Sequence, residues 1–317
     1  MNKARRAVID VGTNSIKLLV ADLDGHGVRP LVEESKQTRL GRGFYQTHRL
    51  QPEAIAQTAL AVGKFAERAR EQKAASIRVI ATSAVRDAVN PKELTSAIEQ
   101  ASGLKVEIIS GEQEADWVFQ GVTTDPQLAR VPLLLLDVGG GSTEFILGRG
   151  SNKHFRQSFP LGTVRLMEQL LVSDPPKETE FAAGCDWVKG FLQKEVQPEL
   201  EPAMKREISE SPGNDPLRLV GTGGTTSILA RMEAKLESYD RARIEATRLS
   251  LTRVHWHTKR LWSLPLEERK LLVGLPKNRA DVILMGAVIY QIIMEVIGFK
   301  ELRVSTRGLR FAVVLDS

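Results

Sequence analysis

Cysteine is almost absent from this chain of 317 residues: Cys185 stands alone. No internal disulfide can form, and a cysteine-rich zinc site is excluded. Such a protein suits a reducing compartment, and a cytoplasmic location is expected. Aromatic residues make up only 5% of the chain, few for a surface that stacks single-stranded bases, so no nucleic-acid partner is expected. An export signal is also missing from view: Met1-Asn2-Lys3-Ala4-Arg5-Arg6 leads straight into a short apolar strand, with no long apolar core or cleavage site. The most membrane-like run, 282–299, is broken by Gln291 and Glu295 and abutted by Arg279 and Asp281. A lipid-facing helix would carry a cost of about 3 kcal/mol for a glutamate near its middle. A helix buried in a protein core is expected there, and no membrane partner.

What is present is ordinary in balance. Hydrophobic residues make up 42% and charged residues 26%, which excludes a disordered chain and a fibre. The length suits about two domains. Lys plus Arg number 44 against 39 Asp plus Glu, a net +5; this is compatible with an anionic ligand but decides nothing.

Alternation of apolar runs and turns gives the organisation. Strand-like runs over 6–10, 16–22 and 28–33, the last after the turn Gly25-His26-Gly27, predict an antiparallel meander. Over 52–73, Ile55, Ala59, Val62, Ala66 and Ala69 recur at helical spacing behind Pro52. A strand over 77–81, a helix over 91–101, a strand over 106–109 and a helix over 112–122 complete an α/β pattern. The turn Thr124-Asp125-Pro126 separates a first lobe, 1–125, from a second, 126–301, with 302–317 returning to complete the first. The second lobe restarts the pattern with strands over 133–137 and 143–147. It then turns mostly helical, with a loop or frayed helix end over 195–215, a strand over 217–220 and a helix over 227–233. Helices over 267–273 and 280–297, a strand over 302–305 and a short final helix close the chain.

One motif occurs twice. Ile9-Asp10-Val11-Gly12-Thr13-Asn14-Ser15 matches Leu136-Asp137-Val138-Gly139-Gly140-Gly141-Ser142, each copy ending one strand and starting the next. Duplication of the whole α/β unit is expected. Amides and hydroxyls crowded into such a turn suit phosphate oxygens, although a tight hairpin needs the same residues. A third glycine-rich segment, Gly221-Thr222-Gly223-Gly224-Thr225, sits between a strand and a helix; it is either another anion site or a close turn. Asp10 and Asp137, each just before its hairpin, would hold a divalent cation between carboxylate and phosphate or cap their own turns. Glu144 would hold a metal-bound water or be a plain strand residue. Arg86, in Ala81-Thr82-Ser83-Ala84-Val85-Arg86-Asp87-Ala88, has the planar fork that grips phosphate or is solvated. Ile109-Ser110-Gly111-Glu112-Gln113-Glu114-Ala115 caps a helix with two glutamates, dipole partners or a general base for water. The histidines His26, His48, His154, His255 and His257 show no metal-ligand spacing.

These blocks together resemble the Ppx/GppA family, the exopolyphosphatases and guanosine pentaphosphate phosphohydrolases. Leu161-Gly162-Thr163-Val164-Arg165-Leu166, Arg279-Ala280-Asp281-Val282-Ile283 and Val304-Ser305 through Gly308-Leu309-Arg310 continue the likeness over nearly the whole length. The resemblance implies a two-lobed, duplicated α/β fold of the actin, Hsp70 and sugar-kinase type (ribonuclease H-like), with a cleft between the lobes. It implies hydrolysis of a terminal phosphoanhydride bond of inorganic polyphosphate or guanosine pentaphosphate, and a homodimer. By motif, Glu114 rather than Glu112 falls on the catalytic base and Arg86 on the phosphate-binding arginine. The family's phosphate-binding second loop falls on Gly139, Gly140, Gly141 and Ser142, while Gly12, Thr13, Asn14 and Ser15 and Gly223, Gly224 and Thr225 stay candidate phosphate-binding residues from the turn reading above. Asp137 and Glu144 fall on the family's metal site, for Mg²⁺ or Mn²⁺, and Asp10 stays a candidate metal ligand from its place before the first hairpin.

Three features depart from the family pattern. Asp116 stands where Arg is common, Phe311-Ala312 where Glu-Gly is common, and the sequence ends at Ser317, where long members continue into a helical extension. Rival readings are a nucleoside triphosphate as substrate, a kinase of the same superfamily, and a non-catalytic sensor of polyphosphate or alarmone. Arg39, Arg42, Arg165 and Arg310 are either a basic track for the rest of a polyanion or solvated surface.

Overall fold

The computed structural model describes residues 4–24, 27–210 and 215–316. The chain forms two units, Met1–Thr124 with Arg307–Ser317, and Asp125–Thr306.

The first unit is built on β1 (Ala4–Val11), β2 (Ser15–Asp24), β3 (Gly27–Gln37), β4 (Ser76–Ala81) and β5 (Val106–Ile108), in the order β3-β2-β1-β4-β5. The β1-β2-β3 meander is antiparallel; of the turn read between β2 and β3, Gly25 and His26 lie outside the described residues. From β1 through β4 to β5 the pairing is parallel. Val8, Ile9 and Val11 are fully buried in succession, the pattern of a strand covered on both faces. One cover is the helix Pro52–Glu71, which starts on Pro52 and buries Ile55, Ala59, Val62, Ala66 and Ala69. The final helix, Leu309–Asp316, belongs here too. A Cβ on Gly121 would lie 2.0 Å from the Gly308 carbonyl oxygen, so that approach admits only glycine. Phe311 and Ala312, where the sequence leaves the family pattern, are core residues of that helix.

The second unit repeats the plan. Its strands are β6 (Leu133–Val138), β7 (Thr143–Arg149), β8 (Asn152–Phe159), β9 (Arg218–Thr222), β10 (Arg248–Ser250) and β11 (Glu301–Val304), in the order β10-β11-β9-β6-β7-β8. Read from its meander, β8-β7-β6-β9-β11 reproduces β3-β2-β1-β4-β5 in order and in sense, with β10 added at the far edge. The duplicated α/β fold expected from the motif is the one observed. The helix Ile283–Ile297 is buried on most of its surface, as its all-round apolar sequence requires. No described helix is long and apolar enough to cross a membrane.

Two readings change. The stretch 195–215 is helical as far as Glu210, through a π-turn at Leu192–Val196 and the helix Gln197–Glu210; 211–214 lie outside the described residues. Leu192, Val196 and Leu200, four apart, are buried in the second core, and that spacing outweighs the Glu- and Pro-rich composition. The strand near 302–305 pairs with β9 in the second sheet, so only the final helix joins the first unit.

Candidate active site

In the first unit, three segments leave one edge of the sheet. Val11, Ala81 and Ile108 stand side by side as the last residues of β1, β4 and β5. After them come the hairpin Gly12–Ser15, the short helix Ser83–Arg86 and the helix Gly111–Val122. The Thr82 amide donates to the Val11 carbonyl (3.3 Å), and the Ile109 amide to Ala81 (3.1 Å). Carboxyl ends of parallel strands are where α/β sheets bind ligands.

The hairpin is held from outside. The Gly12 amide donates to the Ser15 carbonyl (3.1 Å), while the carbonyls of Thr13 and Asn14 accept from the amides of Gly41, Thr38 and Arg39. Gln37 Nε2 donates to Asn14 Oδ1 (3.1 Å) and fixes the amide plane. Asn14 Nδ2, Ser15 Oγ, Thr38 Oγ1 and Ser83 Oγ are then buried with no hydrogen-bond partner. An unmet buried polar group costs about 1–3 kcal/mol. Four around one strand edge favour a ligand-binding surface over a plain tight turn. Ser83 lies in the turn that drew attention only for Arg86; Thr38 carried no sequence signal.

Arg86 and Glu114 meet at this edge. Arg86 Nη1 donates to Glu114 Oε2 (2.9 Å) and to the Ile109 carbonyl (3.3 Å). Ser110 caps the glutamate's helix by accepting from the Gln113 amide. Glu114 is 8% exposed, whereas Glu112 is exposed. Asp10 is buried at the end of β1, directly across from Lys17. Burial pushes its carboxyl above the usual range, and the charges of Lys17 and Arg310 work against that rise. Arg310 is engaged on this sheet, donating to the Leu18 carbonyl (2.7 Å) with Glu33 at 3.7 Å. That removes it from a basic track.

The second unit has the matching edge. The Gly139 amide donates to the Ser142 carbonyl (2.9 Å), the counterpart of the Gly12–Ser15 bond. Carbonyls of Gly139 and Gly140 accept from the amides of Thr163, Val164 and Arg165. Arg165 Nε donates to the Gly141 carbonyl (2.9 Å), so this arginine braces the hairpin. The third glycine segment is no loop. Gly221 and Thr222 end β9, while Gly223, Gly224 and Thr225 are the first turn of the helix Gly223–Glu233. Gly223 has φ +85°, and a Cβ there would lie 2.2 Å from Asp137 Oδ1.

Duplication exposes one difference. The residue across from Asp10 is Lys17; the residue across from Asp137 is Glu144. Directly opposed side chains share a sheet face, so the first unit pairs a carboxylate with an ammonium and the second pairs two carboxylates. Glu144 is 2% exposed, and its Oε1 accepts from Ser142 Oγ (2.8 Å) and Ser158 Oγ (2.7 Å). Two hard oxygen donors fit Mg²⁺, which takes few carboxylates and keeps water and phosphate oxygens in its shell. Among the described residues no three His, Cys, Asp or Glu side chains gather as an all-protein cage.

This architecture is shared with solved structures. An exopolyphosphatase from Cytophaga hutchinsonii superposes with TM-score 0.86 at 28% identity, over 98% of this chain and 96% of that one. A Ppx/GppA protein of Aquifex aeolicus gives TM-score 0.78 at 28% identity, over 99% and 97%. The class is thus an α/β enzyme of the phosphatase type. The Ppx/GppA phosphatase family model matches residues 19–317, and the chain belongs to that family. Exopolyphosphatase 2 of Mycobacterium tuberculosis is 33% identical over 100% of this chain and 99% of its own length.

Proposed function

We propose that the protein is an exopolyphosphatase, a hydrolase that cleaves the terminal phosphoanhydride bond of inorganic polyphosphate and releases orthophosphate. The observation that carries this reading is the Arg86–Glu114 pair at a strand edge whose buried polar groups lack partners. Whole-length similarity to a protein named exopolyphosphatase supports the substrate class.

In this mechanism the terminal phosphate accepts hydrogen bonds from the Gly12–Ser15 hairpin, from Asn14 Nδ2 and from the Ser15 and Ser83 hydroxyls. Arg86 holds a phosphate oxygen through its fork. Glu114 accepts a proton from a water that attacks phosphorus in line; the bridging P–O bond breaks, and its electron pair leaves with the shortened polyphosphate. In the second unit, the amides of Gly139–Ser142 and of the Gly223–Thr225 turn are the proposed phosphate-binding groups. Asp137 and Glu144 would hold Mg²⁺ or Mn²⁺. When bound, such an ion offsets negative charge on phosphate oxygens.

The test is phosphate release with Mg²⁺ from polyphosphates of several lengths, guanosine pentaphosphate and ATP. Polyphosphate is expected to turn over fastest. Release from guanosine pentaphosphate alone would replace the substrate, and tight binding without release would make the protein a sensor. The proposal extends to a cytoplasmic homodimer, checked by cell fractionation and light scattering.

A further inference from the structure

Behind the second hairpin lies a phenol that no step above uses. Tyr290, on the helix Ile283–Ile297, is fully buried. One turn earlier, a Cβ on Gly286 would lie 2.6 Å from Thr225 Cγ2, so this helix presses on the first turn of Gly223–Glu233. A Cβ on Gly221 would likewise lie 2.9 Å from both the Tyr290 hydroxyl and Thr226 Oγ1. Glycine at both places lets the phenol reach the strand ends.

Donor and acceptor roles follow from the inventory. Thr226 Oγ1 gives its proton to the Thr222 carbonyl (2.8 Å), so toward Tyr290, to which it is hydrogen-bonded, it accepts. The phenol therefore donates to Thr226. Beside it, Thr225 Oγ1 donates to the Val138 carbonyl (3.4 Å). The bonded chain runs Tyr290 O–H, Thr226 O–H, Thr222 C=O, with the Thr225 bond to Val138 alongside. Together they reach the last residues of β6 and β9, next to Asp137 and Gly223. The ladder between these strands closes at Asp137 and Thr222; beyond it the side-chain chain takes over.

We propose that Tyr290 is a positioning residue whose hydroxyl, with that of Thr226, clamps the ends of β6 and β9 and so sets the place of Asp137 and the Gly139–Ser142 hairpin. This rests on the reading that Asp137 and the hairpin serve the hydrolysis. Burial, reinforced by the nearby Asp137 charge, pushes the phenol far above its usual range against the opposing hydrogen bond to Thr226. It keeps its proton, and acts as a strut and not as an acid or base.

Tyr290→Phe keeps the ring and removes the hydroxyl; Thr226→Val removes the partner, and Thr226→Ser retains it. Each of the first two is expected to lower kcat on polyphosphate about 10- to 100-fold, the range for groups that orient a site from behind, with KM changed much less. Thr226→Ser is expected to stay close to the parent, and the Tyr290→Phe/Thr226→Val double variant to be no worse than the poorer single one. Hydrogen exchange at amides 137–142 and 222–226 is expected to quicken in Tyr290→Phe while the first unit is unchanged. Parent-like kcat and exchange in Tyr290→Phe, or additive losses in the double variant, would overturn the clamp. Asp137→Asn separates the two readings. If it retains full activity, the role of Asp137 fails while faster exchange still supports the clamp; if it is inactive and exchange in Tyr290→Phe is unchanged, the clamp alone fails.

Discussion

Arg86 Nη1 and Glu114 Oε2 lie 2.9 Å apart although the residues are 28 positions apart and on different helices. Glu112, two residues before Glu114, shares no such contact and is exposed. Successive helix residues turn by about 100°, so two positions are about 200° and opposite faces. One glutamate of the pair therefore faces the strand edge, and the other faces away.

Glu114→Gln keeps size and shape but cannot accept a proton. Phosphate release should fall about 10²- to 10⁴-fold, the usual cost of losing a general base, with little change in thermal midpoint. Glu112→Gln should leave turnover unchanged. Phosphate-release kinetics and a melting curve on both variants check this, and an active Glu114→Gln enzyme would remove the residue from the role.

The Lys17-for-Glu144 difference between the two hairpins predicts which unit answers to metal. Chelation should abolish turnover, and Mg²⁺ should restore it. Glu144→Gln should raise the Mg²⁺ concentration for half-activity about 10- to 100-fold. Lys17→Gln should leave that concentration unchanged. Equal metal dependence of parent and Glu144→Gln would place the ion elsewhere.

Much of this was legible in the sequence, and the reasons differ from element to element. Ile9-Asp10-Val11-Gly12 and its copy at Leu136 announced both sheets, because a strand-ending turn leaves a local signature in glycine and hydroxyl residues. The buried helix over 283–297 was readable from all-round apolarity. The register that sets Lys17 against Asp10 and Glu144 against Asp137 was not, since pairing depends on turn geometry that the sequence does not state. The helix Gln197–Glu210 was hidden by composition, its Leu192, Val196 and Leu200 stripe being short. Thr38 and Tyr290 reach the strand ends only through the folding of distant segments, and nothing beside them in sequence marks them.

Gly223 and Gly224 adjoin but should respond oppositely to alanine. At Gly223 the backbone is left-handed (φ +85°), and the new Cβ would strike Asp137 Oδ1. Gly223→Ala should cost about 1–3 kcal/mol of stability and most of the activity through the displaced carboxylate. At Gly224 a Cβ meets open space, and in a helix alanine is favoured by about 0.5–1 kcal/mol. Gly224→Ala should melt no lower than the parent. Denaturant titration of the two variants decides the matter, and equal effects would contradict the local geometry.

Asp10 gives a pH dependence whose sign follows from its burial. Its carboxyl is raised above 3.8 in the folded protein, so the folded chain holds that proton more tightly than the unfolded one. Stability from this group therefore declines as pH rises from about 3.8 through the folded value. Above the folded value the group is a standing cost, only partly offset by Lys17 and Arg310. Asp10→Asn removes the charge and keeps the shape. The variant should melt above the parent at pH 7, and the gap should narrow as pH falls toward 3.8. A buried aspartate retained at such a cost points to use of its charge at the strand edge, so phosphate release should fall in the more stable variant. A gap that does not change with pH would show that the carboxyl is not raised in the folded protein.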